Sequence, residues 1–337
     1  MGTHGQPADD DASSIPRVNV VPSVGVMLPR DLRARDIVPF AKRAEELGFD
    51  ELWVVEDCFF RGGIAQAAVA LAATSTITVG LGILPAAARN AAFATLEIAS
   101  LAEIFPGRTL VGLGHGMSGW MRQVGALPAS PLTMLGEHLR ATRALLRGEK
   151  LTVSGRYVQL DAVQLASPPK LVPPILAGVR GPRSLALSGR DADGTVLAEP
   201  VTPEYLAAAS ARINATRPHH LVAYNVAVVN SDADAARALA RGALEAIGEP
   251  DWAPHITPLP FAAEFAALRS ASASPAAFAA ALPDSWVDTL ALVGSAERVR
   301  ARILELHTAG ADSSVLIPVG PDAFDALESL GAVVTAD

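Results

Sequence analysis

Ile77-Thr-Val-Gly-Leu-Gly-Ile-Leu-Pro85 and Phe105-Pro-Gly-Arg-Thr-Leu-Val-Gly-Leu-Gly-His-Gly116 are two β-rich runs, each closing on glycines. Between them lies a helical segment from about Ala92 to Ile104. Runs that are apolar on both faces and joined through one helix form a βαβ unit of a parallel sheet. The glycines fall at the C-terminal ends of the strands, where α/β proteins place their ligands. Gly82, Gly112, Gly114 and Gly116 would let backbone come close to something flat and large. His115 stands among them as the one ionisable side chain. This stretch is expected to be the floor of a cofactor site.

The same alternation extends outward in both directions. A first strand is expected at Asn19 to Met27, then a helix capped by Asp36, with Ile37, Phe40, Ala41, Ala44 and Leu47 on its apolar face. Gly48 ends that helix, and Glu51 to Glu56 is the second strand. Another helix is expected from Ile64 to Thr74. Beyond Gly116 come an irregular stretch to Gly125 and a long helix from Leu132 to Arg147. Leu151 to Leu160 reads as a small hairpin turning at Ser154-Gly155. Further strands follow at Pro173 to Arg180, Gly194 to Ala198, His220 to Val229 and Ser313 to Val319. Helices open at Gly181-Pro182, Pro203, Asp232, Val293 (with Ser295 as cap) and Pro321.

Eight alternations of strand and helix predict an α/β (β/α)8 TIM barrel rather than two open-sheet domains. The expected organisation is a disordered tail over residues 1–17 and one barrel over 18–337. A hairpin insertion is expected near 150–165. A proline-, alanine- and tryptophan-containing helical insertion is expected near 248–289.

Composition narrows the function classes. The chain has 337 residues, half of them hydrophobic, so a large core can form. A net charge of −8 argues against nucleic acid or an anionic membrane surface as partner. The single cysteine, Cys58, excludes an internal disulfide framework and fits a reducing compartment. No run reaches the ~18 uninterrupted apolar residues of a membrane span, and the polar N-terminus lacks the layout of a signal peptide. A soluble, cytoplasmic protein is expected. No HExxH, CxxC, GxGxxG or P-loop pattern occurs, so no metal is expected. A Schiff-base barrel enzyme would need a lysine at a strand end. Lys42, Lys150 and Lys170 end no predicted core strand.

Five segments in order resemble the bacterial luciferase-like superfamily of flavin- and deazaflavin-dependent oxidoreductases. They are Glu45-Glu-Leu-Gly-Phe-Asp-Glu-Leu-Trp-Val-Val-Glu-Asp57; Val79 to Pro85 with Arg89-Asn90; Phe105 to Gly116; Gly181-Pro-Arg-Ser-Leu-Ala-Leu-Ser-Gly-Arg-Asp-Ala-Asp-Gly194; and Gly294 to Val299 with Ala309-Gly-Ala-Asp312. The pattern is most similar to the branch that uses coenzyme F420, a deazaflavin, typified by methylenetetrahydromethanopterin reductase.

The resemblance implies an oxidoreductase that passes a hydride between F420 and a small organic molecule. FMN-dependent luciferase-like monooxygenase chemistry is the alternative, and a non-catalytic flavin-binding protein is a third reading. It also implies a non-proline cis peptide at Gly82–Ile83 behind the ring. Ala177, Gly178, Arg180, Gly181, Pro182 and Arg183 would meet the cofactor phosphate at a helix N-terminus. Gly82, Ile83, Gly112 and Gly114 would meet the ring.

His115 would be a general acid or base, or else a hydrogen-bonding group that holds ring or tail. Asp57 would contact ring or substrate. Where the branch often has Asp-His, this chain has Asp57-Cys58, so Cys58 becomes a small wall of the substrate pocket. Arg89 and Trp120 complete the expected pocket. Arg30, Arg33 and Arg35 could meet an anionic cofactor tail. A homodimer and a reductase that supplies reduced cofactor are the implied partners.

Overall fold

The computed structural model describes residues 22–335. The expected tail at 1–17 and the first residues of the expected first strand lie outside the described residues. Eight parallel strands close into a barrel. They are β1 (Ser23–Met27), β2 (Glu51–Val54), β3 (Thr78–Pro85), β4 (Thr109–Gly114), β5 (Ile175–Gly178), β6 (Gly194–Leu197), β7 (His220–Val229) and β8 (Ser313–Pro318). Each pairs in parallel with the next in this numbering, and β8 pairs back onto β1 through Ser23↔Ser313 to Val26↔Leu316. This is the (β/α)8 barrel that the alternation predicts.

Side chains divide by strand parity. Trp53, Leu176, Val196, Val222, Tyr224 and Val315 fill the inside. The outward residues, such as Leu52, Val54, Val79, Leu81 and Ala177, join the larger core beneath the helices. The inner layer takes an indole because its neighbours are small: a β-carbon at Gly80 would lie 2.3 Å from Trp53 Cδ2. The Trp53 N–H donates to Glu51 Oε2 at 2.6 Å, and Tyr224 meets the indole edge-on with ring centroids 5.6 Å apart.

Side chains cap several of the helix starts. Asn90 Oδ1 accepts the Ala92 N–H at 2.9 Å, and Ser295 Oγ accepts the Arg298 N–H at 3.3 Å. Asp36 departs from expectation. Its backbone is already helical (φ −95°, ψ −7°), which turns the carboxylate away from the free N–H groups. The carboxylate takes the Arg33 guanidinium at 2.6 Å instead.

Three further expectations change. Val293 and Gly294 belong to a short strand, Leu292–Gly294, paired with the end of β7, and the helix begins only at Ala296. The stretch after Gly116 contains a short helix, Ser118–Gln123, seated by the buried Met121. The hairpin strands are Leu151–Ser154 and Gln159–Val163, so the turn spans residues 155–158 rather than Ser154-Gly155. Glu137 holds that turn by accepting the N–H groups of Arg156, Tyr157 and Val158 at 2.7–3.0 Å.

Residues 248–289 are helical as expected, and they build a second core. Phe265 and Phe278 pack edge-on there, over Val226 and Val228 of β7 and Ala236 and Ala240 of the following helix. Among the described residues, no helix is long and apolar enough to cross a membrane.

Candidate functional site

The C-terminal mouth of a (β/α)8 barrel is where its strand-end residues converge, and most of the candidate residues lie there. Between Leu81 and Leu84 the register of β3 against β4 shifts. Leu81 faces Val111 and Leu84 faces Leu113, so Gly82 and Ile83 together oppose Gly112 alone. This is a β-bulge, a device that re-aims a side chain. The Gly82–Ile83 bond is cis, as the resemblance implies, and a second non-proline cis bond joins Cys58 to Phe59.

The bulge turns Ile83 into the barrel mouth, and the glycines of the neighbouring strands receive it. A β-carbon at Gly178 would lie 2.3 Å from Ile83 Cγ2, one at Gly112 2.9 Å from the same atom, and one at Gly114 3.0 Å from Ile83 Cδ1. The sequence reads Gly112 and Gly114 as opening backbone directly to a flat ligand and Gly178 as meeting its phosphate. They open space for Ile83, which becomes the apolar floor. Gly82 makes room for a different side chain: a β-carbon there would sit 1.8 Å from the Tyr224 hydroxyl. That hydroxyl is buried and has no hydrogen-bond partner.

Along β5 the alternation separates residues expected to act together. Gly178 faces the floor, whereas Ala177 is fully buried in the outer core and can offer a ligand only its backbone. The helix Pro182–Asp191 starts just beyond, with Gly181 as N-cap and proline in its first turn. No side chain caps it, and a β-carbon on Gly181 would meet nothing. Its first N–H groups and the positive end of its dipole therefore face open space. Arg183 is exposed beside them.

His115 Nε2 lies 3.1 Å from Ser184 Oγ in that first turn, while Nδ1 is buried without a partner. Burial pushes the imidazole pKa down against the opposing pull of the Pro131 backbone, which favours the neutral ring. Arg180 points elsewhere. Its guanidinium lies 4.4 Å from the centre of the Trp252 ring, and Nη1 is buried and unpartnered.

On the opposite rim Asp57 is held by Arg30 at 2.9 Å, so that arginine neutralises the strand-end aspartate. Arg33 is paired with Asp36 and Arg35 approaches the same carboxylate. Arg89, expected in the substrate pocket, forms a two-pronged ion pair with Glu56, one N···O contact being 2.6 Å, and also reaches Glu97 at 3.4 Å. Glu56 Oε2 accepts the Gly63 N–H as well, so the pair ties the β2 and β3 loops together. Burial, followed by the charges of Glu56 and Asp57, raises the Cys58 thiol pKa, as suits a wall residue rather than a nucleophile. Trp120 is half-buried on the short helix after β4.

The sequence reading missed Glu199, Tyr224, Asn225, Trp252 and His255. Glu199 stands two residues past the end of β6, and an acidic residue at a barrel strand end was the signal that could have found it. The other four are placed only by tertiary contacts. Asn225 Oδ1 accepts the Val201 N–H at 2.9 Å, the Trp252 indole donates to the Glu199 carbonyl at 2.9 Å, and His255 Nδ1 lies 3.1 Å from the Pro200 carbonyl. Among the described residues, no group of three or more His, Cys, Asp or Glu side chains could hold a metal ion.

Comparison with known proteins gives a consistent result. The sequence profile of the luciferase-like monooxygenase family matches residues 17–313. The chain is 30% identical over 308 residues to the 5,10-methylenetetrahydromethanopterin reductase of Methanolobus tindarius, covering 88% of this chain and 94% of that protein. It is 26% identical over 325 residues to the enzyme of the same name from Archaeoglobus fulgidus, covering 91% of this chain and 97% of that protein. Its fold superposes on the coenzyme F420-dependent tetrahydromethanopterin reductase of Methanopyrus kandleri with a TM-score of 0.78 at 23% identity, over 92% of this chain and 97% of that one.

Proposed function

The chain belongs to the luciferase-like monooxygenase family, and from that premise we propose that it is an F420-dependent oxidoreductase acting on a small organic molecule. The observation that carries the reading is the pairing of an apolar floor with an open helix N-terminus two strands away. Ile83, seated among Gly112, Gly114 and Gly178, offers a surface for one face of a planar ring. Two strands along from β3, the uncapped start of helix Pro182–Asp191 offers N–H groups and positive potential to a phosphate on the same ligand.

Arg183 adds a guanidinium at that end. His115, neutral and bonded to Ser184, belongs to the phosphate side of the site, where its free Nδ1 can bind the cofactor's tail. Among the buried polar atoms without a partner are His115 Nδ1, Arg180 Nη1 and the Tyr224 hydroxyl around the mouth, atoms that a polar ligand there would satisfy. A bound deazaflavin supplies or accepts a hydride. The protein holds the ring on its floor, excludes water with the β2 and β4 loops, and orients a substrate carbon above it.

The test is a fluorescence titration of the purified protein with F420 and, separately, with FMN. Micromolar or tighter binding of F420 is expected, followed by oxidation of reduced F420 with 5,10-methylenetetrahydromethanopterin as the first substrate assayed. Binding of FMN alone would replace the reading with oxygen-using flavin chemistry. Binding of neither would remove the cofactor site described around Ile83 and Gly181.

A further inference from the structure

Transferring a hydride to a C=O, C=N or C=C bond leaves the partner atom needing a proton, and the reverse reaction must remove one. His115 is a poor source, because it is hydrogen-bonded to the phosphate-side helix. Two carboxylates around the mouth are also committed: Asp57 to Arg30, and Glu56 to Arg89 and the Gly63 N–H. Glu199 differs from both. The only backbone N–H that reaches its carboxyl is its own.

Its position is nonetheless fixed by the structure. The Trp252 indole donates to its carbonyl, His255 Nδ1 donates to the Pro200 carbonyl, and Asn225 accepts from Val201. Three consecutive residues are thereby pinned from β7 and from the helical insertion. Tyr205 stacks on His255 with ring centroids 4.1 Å apart and directs its hydroxyl at the Arg180 carbonyl at 3.4 Å. The insertion, which carries no recognisable sequence motif, is therefore a clamp on the β6 loop.

We propose that Glu199, presented by this clamp at the mouth of the barrel, is the group that gives the substrate its proton in reduction and takes it in oxidation. The proposal rests on the hydride-transfer reading above. In reduction the Glu199 O–H bond breaks as the new bond to hydrogen forms on the substrate atom next to the carbon that receives the hydride. Reduced F420 is the two-electron donor. The carboxylate left behind faces Arg180 and regains its proton from water, to which the residue keeps partial access. In oxidation every step reverses.

The charged and titratable groups around the carboxyl are Arg180 from β5, Asp57 from the β2 loop, Arg30 from the β1 loop and Tyr224 from β7. His255 lies behind Arg180. Burial dominates over the two arginines and raises the Glu199 pKa, the direction a carboxylic acid needs to keep a proton near neutrality.

The test compares the full-length wild type with Glu199→Gln and His115→Asn. In a fluorescence titration with F420, Glu199→Gln is expected to bind within about threefold of wild type. If wild type itself fails to bind, the hydride-transfer reading falls. If binding is lost only in Glu199→Gln, the residue is a cofactor ligand and the proposal is overturned.

Infrared spectra of the F420 complexes at neutral pH need no substrate. Glu51 is a second buried carboxyl whose pKa burial raises, so the signal is read as a difference: a protonated-carboxyl C=O band that shifts in D2O is expected in the spectrum of wild type minus Glu199→Gln and is expected to be missing from that of wild type minus His115→Asn. A wild-type-minus-Glu199→Gln spectrum without that band refutes the assignment. With 5,10-methylenetetrahydromethanopterin and reduced F420, Glu199→Gln should lose about 100-fold in kcat and the pH dependence attached to it. A loss under threefold would overturn the proposal while leaving F420 dependence intact.

Discussion

Replacing Gly178 by alanine tests whether the glycines of the barrel mouth serve Ile83 or serve a ligand directly. The added methyl would stand 2.3 Å from Ile83 Cγ2, 3.3 Å from its Cβ and 3.4 Å from its Cγ1. Carbon atoms in contact prefer about 3.5–4.0 Å, so Ile83 must move by more than about 1 Å. Gly178 has no positive φ, so alanine meets no backbone penalty and the whole cost is steric. Overpacking of this kind destabilises by about 1–3 kcal/mol.

Ile83→Ala removes Cγ2 and Cγ1. Because Ile83 is only half-buried, its own cost should fall below the usual range for a core isoleucine, at about 1–2 kcal/mol. In the double variant the new methyl keeps only the 3.3 Å contact with the retained Cβ, so Gly178→Ala should then cost much less. The coupling energy is expected to be about 1–3 kcal/mol in the favourable direction. Urea denaturation of the four proteins at one pH measures it, with an F420 titration alongside to show whether the floor has moved. Additivity within about 0.5 kcal/mol would refute the reasoning and return the glycines to the role that the sequence suggested.

Two further expectations concern stability and assembly. His255 is fully buried, and burial followed by the Arg180 charge pushes its pKa from 6.5 to about 3 against the opposing pull of the Pro200 hydrogen bond. The unfolded chain therefore takes up the proton first, and this stabilisation is present above pH 6.5 and lost as pH falls toward the folded value, with an effect of the order of 4 kcal/mol. The urea midpoint of wild type should consequently drop more steeply between pH 6.5 and 4 than that of His255→Asn, and parallel curves would sink the idea. The helix Ala91–Ile104 leaves Phe93, Leu96 and Ile104 exposed along one stripe, which we propose as the contact face of a homodimer. Sedimentation equilibrium should find a dimer in wild type and a monomer in a Phe93→Asp, Leu96→Asp variant; an unchanged dimer would move the interface elsewhere.

The legible part of the fold was its periodic part. Strands such as Leu52–Val54 and Val111–Leu113 are apolar whichever way they face, and helices such as Ala91–Ile104 announce themselves with Asn90, so alternation alone implied eight βα units. The errors have a common cause. Asp36 has the composition of a cap, but its backbone turned helical one residue early, and Arg33 claimed its carboxylate. Val293-Gly294 reads as a helix start until the end of β7 offers it a pairing edge. Met121 nucleates a helix in an irregular-looking stretch because it has a buried place to go.

The site was half legible for a related reason. Gly82, Ile83, His115 and Gly181 sit within a few residues of recognisable strand ends, and local sequence exposes them. The clamp on Glu199 joins residues 180, 199, 225, 252 and 255, and no local pattern connects such positions.

What the sequence determined by itself was the barrel, its direction and the end at which chemistry occurs. Hydrophobic period and glycine placement are local consequences of backbone geometry, and they survive without knowledge of what lies opposite. Only the tertiary structure decided what each glycine makes room for and which ionisable groups are already paired. It alone left a carboxylate free. Those outcomes depend on atoms brought together across the barrel, where a side chain's charge and packing are set by neighbours distant in the chain.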